Sequence, residues 1–235
     1  MAGQRSNHEK VRYRFQKVFA GIQDGISLVV KTKRQEPVRF FMRQDSVSGS
    51  CGLMCVGMAL IALGVLKASA FESAPRRRHG TAFALWSLLS DSFFSGIDVS
   101  DLHARLIQLD VPVTFTCRTG EPASIGKFAV DSLSRGELTI LAYENERNHF
   151  KHYVLGTGVA GVTENRKSTV DSLLVIDSGG DEPILTAYNG VMHISQCHTL
   201  AKQKKKLNSR WLYETAGYAS AEKVFLIGAI RCRLC

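Results

Sequence analysis

Apolar residues recur at helical intervals before Gly136 and gather into short strand-like runs beyond it. The longest apolar stretch, Gly52 to Leu66, is uncharged throughout and stops at Lys67. It is shorter than the ~20 residues that span a bilayer, so it predicts a helix buried in a protein core. The segment ahead of it, Gln44 to Ser50, is turn-rich and uncharged except for Asp45. A loop therefore runs straight into the helix and puts Cys51 at its N-terminus. Thr81 to Ser90 spaces Phe83, Trp86, Leu88 and Leu89 as a second helix would. Asp98 or Ser100 stands where it could cap a third, in which Leu102, Leu106 and Leu109 recur at helical intervals. Ala123 to Leu133 predicts one more, ended near Gly136.

Asp110 to Thr116 reads as a strand. So do Leu138 to Tyr143, Tyr153 to Thr157, Val170 to Ile176 and Val224 to Ile230, all rich in Val, Ile and Leu with turn residues between them. Helices first and strands later indicate an α+β layout rather than alternating βαβ units. The N-terminal segment is basic and mixes a possible helix, Val11 to Ile22, with a strand-like Ile26 to Val30; Lys67 to Gly80 is a polar loop. Residues 1–36 are read as a basic N-terminal extension or leading strand, and residues 37–235 as one domain with no repeat or dividing linker.

Composition adds bounds to this picture. A chain of 235 residues, 45% hydrophobic and 22% charged, is long enough to bury one real core and is not a disordered or fibrous composition. The net charge of +9 favours an acidic partner, yet the excess sits in runs: Arg5 to Arg34, Arg76 to His79, and Lys202 to Lys206. Solvated loops account for such runs, and without interleaved stacking aromatics nucleic acid is not the expected partner. Cys51, Cys55, Cys117, Cys197, Cys232 and Cys235 are spread too widely for a small disulfide scaffold and are read as reduced thiols. No secretory signal or transmembrane segment is visible, which suggests a cytoplasmic protein or one exported without a cleaved signal peptide.

The chemistry concentrates on a few residues. A cysteine reacts as its thiolate, and the free N–H groups and dipole of a helix N-terminus favour that charge at Cys51. The same N–H groups can hold an oxyanion, and Gln44, on the approach loop, carries an amide able to donate a second hydrogen bond. The bland alternative is that Cys51 is a buried apolar thiol, as Cys55 is expected to be. A nucleophile also needs a base. His152 opens a strand-like run, whereas His149 lies in the polar turn before it. Asp177 ends a hydrophobic strand ahead of a glycine turn, where a carboxylate can orient an imidazole or simply form the turn.

Two other readings use the same residues. Cys51, Cys55, His149 and His152 could supply two thiolates and two imidazoles to a metal, although the start of an apolar helix is not where a structural zinc site is expected. Alternatively the chain is an inactive binding module whose basic runs meet an acidic partner. The terminal Cys232 to Cys235 pair is formally a Cys-x-x-Cys and is read as a frayed tail.

The order of Gln44, loop, Cys51-Gly52, buried helix, packing helices, His152-Tyr-Val-Leu-Gly and Ile176-Asp177-Ser resembles the papain-like cysteine peptidase superfamily. It is most similar to the double-glycine leader peptidases of bacteriocin transporters and their stand-alone bacterial relatives, from about Phe40 to Gly180. The resemblance implies a papain-like α+β fold, with an N-terminal helical part whose nucleophile helix packs on a C-terminal antiparallel sheet. It implies a peptidase acting on a protein or peptide, at a peptide or isopeptide bond, with no cofactor. In that scheme Cys51 attacks, His152 is the base, Asp177 orients the ring, and Gln44 shares the oxyanion hole with Cys51. Three departures stand out: a Gln-to-Cys offset of 51 − 44 = 7, one more than usual, Ser50 where the family has an acidic residue, and Asp177-Ser178 in place of Asp-Pro.

Overall fold

The computed structural model describes residues 12–31, 36–46, 48–194, 210–215 and 220–235. In chain order these form β1 (Arg12–Val18), β2 (Ile22–Gln23), β3 (Val29–Val30), β4 (Val38–Arg39), α1 (Cys51–Ala62), α2 (Ala68–Glu72), α3 (Thr81–Leu89) and α4 (Val99–Leu106). They continue with β5 (Val113–Thr119), α5 (Pro122–Ser134), β6 (Leu138–Asn145), β7 (Lys151–Glu164), β8 (Lys167–Ile176), β9 (Gly190–Ile194), β10 (Trp211–Thr215) and β11 (Glu222–Leu234). The Lys202 to Lys206 run, Cys197 and parts of the Arg5 to Arg34 run lie outside the described residues.

Most predicted elements reappear with shifted ends. The apolar helix is α1, which stops at Ala62 because Gly64 turns left-handed at φ 73° and its N–H bonds the Ile61 carbonyl. Every residue of α1 except Met54 is buried, which is why the segment carries no polar face. The strand-like Ile26 to Val30 contracts to β3, in a separate small sheet ordered β2, β3, β4, and the Lys67 to Gly80 loop contains α2.

The expected helix over Val11 to Ile22 is wrong. Arg12–Val18 is β1, antiparallel to β7 from Arg12 opposite Glu164 to Val18 opposite Gly158. Pairing with a long strand overrides the local spacing, and glycine makes it possible: a Cβ on Gly158 would lie 2.3 Å from the Lys17 carbonyl oxygen.

The fold class is also corrected. β6, β7, β8, β9, β10 and β11 pair antiparallel in a ring, and β11 returns to β6. The described residues are mostly β, with a closed six-stranded barrel and 26% helix, rather than a papain-like helical part packed on a sheet. The two strands that close the ring, β9 and β10, are short and were not predicted. With them, β8 and β11 no longer end as open edges.

Along β6, β7 and the end of β8 the barrel wall is buried on both faces, so these stretches read as continuous apolar runs instead of alternating ones. On β6, Ile140 and Ala142 belong to the core that contains α1, while Leu141 and Tyr143 belong to the core that contains α5, Trp211 and Tyr213. On β7, Tyr153 and Leu155 share the α1 core, and Val154 shares the other. Strand alternation then puts His152 on the Val154 face, at the end of the wall nearest α1's first turn.

Candidate thiol site at the mouth of the barrel

Three of the expected residues meet. Cys51 opens α1, His152 is the second residue of β7, and Asp177 follows β8 directly. All three are buried, at 7%, 6% and 3% relative exposure. His152 Nε2 lies 2.7 Å from Asp177 Oδ1. The other ring nitrogen, Nδ1, is buried with no partner of hydrogen-bonding geometry, sulfur included; the Cys51 thiol, 3.9 Å from the Gly49 carbonyl oxygen, stands near enough to the ring for each to shift the other's pKa.

The electrostatics follow from this arrangement. Burial alone would raise the Cys51 pKa, but hydrogen bonding and charge from His152, with backbone N–H groups of Tyr153 and Gly52, bring it below 9.0. Burial would lower His152, but Asp177 and Cys51 together push it up to about 10. Asp177 resists its own desolvation through bonds from His152, Tyr213 and Gly179, which hold it below the ordinary carboxylate value. All three shifts favour the charged forms, a thiolate, an imidazolium and a carboxylate.

Asp177 is held on every side. Its Oδ1 accepts the Gly179 N–H at 2.8 Å, and its Oδ2 accepts the Tyr213 hydroxyl at 2.6 Å. Asn189 clamps its backbone, accepting from the Asp177 N–H at 2.6 Å and donating to the Asp177 carbonyl at 2.8 Å. The imidazole is framed by rings: Tyr143 meets it edge-on at 5.7 Å and Phe150 stacks at 5.8 Å. Tyr213, Asn189, Phe150 and Tyr143 were missed by sequence reasoning. The alternation in Trp211-Leu212-Tyr213 hints at a strand, but nothing local brings that strand to residue 177.

Gln44 is tied to the same neighbourhood through the strand end. Its backbone N–H bonds the Ser178 carbonyl at 2.8 Å, and its side-chain amide donates to the Ser48 carbonyl at 2.6 Å. An amide has two N–H donors, and this bond uses one of them. On the approach loop the Ser48 N–H bonds Asp45 Oδ1 at 2.8 Å, and the Ser48 and Ser50 hydroxyls lie 2.6 Å apart. A cleft of about 610 Å³ opens between Gln44, Phe150, His152 and Gly179. A larger cavity, about 1050 Å³, lies elsewhere, between β4 and the far end of α1, and carries no thiol or imidazole.

The metal reading does not gather its ligands. Cys55 is fully buried one turn into α1, and His149 turns to Glu144, 2.7 Å from Nδ1 to Oε1. Among the described residues no group of three or more His, Cys, Asp or Glu is placed to hold a metal ion. No helix among them is long and apolar enough to cross a membrane. Compared with known proteins, the chain matches no family model and no curated relative.

Proposed function

We propose that the protein is a cysteine peptidase that cleaves a peptide or isopeptide bond through an acyl-enzyme on Cys51. The observation that carries this reading is a buried imidazole that bonds Asp177 at 2.7 Å and stands near enough to the Cys51 thiol to lower its pKa. The thiolate attacks the carbonyl carbon, and the oxygen takes up negative charge facing the Cys51 backbone N–H and the Gln44 amide. As the intermediate collapses, His152 gives its proton to the leaving amine and the C–N bond breaks. Water then attacks the thioester, His152 takes its proton, and the acid leaves with the thiolate restored. No cofactor enters this sequence.

The likeness of the residue order to double-glycine leader peptidases supports a protein or peptide substrate with small residues, such as Gly-Gly, before the scissile bond. Incubating the purified chain with peptides that carry Gly-Gly or bulkier residues at that place, beside Cys51→Ala, tests both parts. Cleavage by the native chain alone supports the reading. Equal cleavage by Cys51→Ala, or none of any peptide by either chain, counts against it.

A further inference from the structure

Tyr213 lies on β10, far in sequence from α1 and β7, and is fully buried. Its hydroxyl is 2.6 Å from Asp177 Oδ2, on the oxygen that His152 does not use. Its ring centroid stands 5.1 Å from that of Tyr143, which in turn meets the His152 ring. The seat is shaped for this ring: a Cβ on Gly190 would lie 2.8 Å from Tyr213 Cε2 and 2.9 Å from its Oη. A tyrosine that only filled the barrel would not need its hydroxyl on a buried carboxylate.

We propose that Tyr213 is a positioning residue of the thiol site, holding Asp177 Oδ2 from inside the barrel so that Oδ1 stays aimed at His152 Nε2. The inference rests on the thiol-site reading of Cys51, His152 and Asp177. It gives barrel closure a chemical purpose, because β10 reaches the site only when β9, β10 and β11 complete the ring. A buried carboxylate needs several donors to stay ionised; here they are His152, the Gly179 N–H and Tyr213, and removing one raises its pKa. The other titratable groups facing the pair are Cys51 from α1, Tyr153 on β7 and Tyr143 from β6, with Cys55 one helical turn deeper. Tyr153 donates to the Ile97 carbonyl at 2.9 Å and is held protonated by burial, so it does not take Tyr213's place.

Tyr213→Phe keeps the ring and removes only the hydroxyl. The Asp177 carboxyl, followed by carbon NMR across pH, is expected to titrate about one pH unit higher in this variant, the loss of one hydrogen bond to a charged group. Alkylation of Cys51 by iodoacetamide near neutral pH is expected to slow about tenfold, since the imidazolium loses its fixed partner. In an Asp177→Asn background the same substitution should slow alkylation no further. An unchanged carboxyl titration, an unchanged alkylation rate, or full additivity with Asp177→Asn overturns the proposal, because a packing role alone leaves all three as they are. No peptide is used. A chain that alkylates as expected but cleaves nothing would therefore sink the peptidase reading and leave this one standing, while failure of the native chain to alkylate at Cys51 would overturn both.

Discussion

The first and second turns of α1 each carry a cysteine, and the two thiols are driven apart by what the fold sets against them. Burial raises the pKa of both. At Cys55 nothing opposes it, and the neighbouring charges of Cys51, Asp177 and Cys232 add to the rise. At Cys51 the helix end, the Tyr153 N–H and the His152 ring reverse the sign. One turn of helix, about 5.4 Å, thus separates a thiol whose pKa is lowered from one whose pKa is raised. The same contrast recurs on β7: His152 is buried against Asp177, and His149, three residues earlier in a left-handed turn at φ 56°, is exposed beside Glu144.

Substitution breaks the comparison most sharply. Cys51→Ala is expected to abolish peptide hydrolysis and iodoacetamide labelling, whereas Cys55→Ala leaves both in place. Equal losses, or labelling at Cys55, would erase the distinction between the two turns. His152→Ala should lower kcat/KM by about 10²- to 10⁴-fold, the usual contribution of general acid–base catalysis. His149→Ala should stay near the native rate, and the reverse outcome would move the base into the turn.

Gln44→Ala probes the other side of the thiol. Removing an oxyanion donor costs about 10²- to 10³-fold in kcat, and the lower end is expected because the Cys51 backbone N–H remains. Alkylation by iodoacetamide forms no oxyanion, so its rate should not move; a matching fall in both would show that Gln44 shapes the loop instead.

The pH profile sharpens the comparison by a smaller margin. If the chain is a peptidase, kcat/KM is expected to show an acid limb set by Cys51, below the ordinary thiol value of 9.0, and an alkaline limb set by His152 at about 10. An acid limb above 9.0 would give Cys51 the behaviour of Cys55. Stability follows the same groups. The raised pKa of His152 stabilises the fold fully below its ordinary 6.5, and this is lost as pH rises through about 10. The lowered pKa of Asp177 stabilises it above 3.8, and this is lost as pH falls through its folded value. Urea denaturation of Asp177→Asn should therefore lose most of the acid-side dependence of the native chain. The smallest effect is on Cys55 itself: Cys55→Ala is expected to cost about 1 kcal/mol in the same assay, the loss of a buried sulfur.

Legibility tracked how local each signal was. α1, α3, α4 and α5 could be read because helical spacing is a property of one segment, and Cys51 because a loop-to-helix junction is visible in the chain itself. His152 and Asp177 were readable as strand ends. Val11 to Ile22 was misread because its partner, the far half of β7, lies more than half the chain away, 158 − 18 = 140 residues at its nearest. β9 and β10 escaped notice because strands of five residues carry little pattern.

What the sequence by itself determined is a buried apolar helix with a thiol at its mouth, several packing helices, a set of β-rich runs, and four residues suited to acyl transfer. Only the tertiary structure decided that these runs close into a barrel, that Cys51 and Asp177 come to one buried imidazole, and that Tyr213 reaches the carboxylate. The physical reason is that a helix and its dipole arise within a few consecutive residues. Strand pairing, desolvation and a carboxylate's choice of donors are fixed by neighbours the chain supplies only after it has folded.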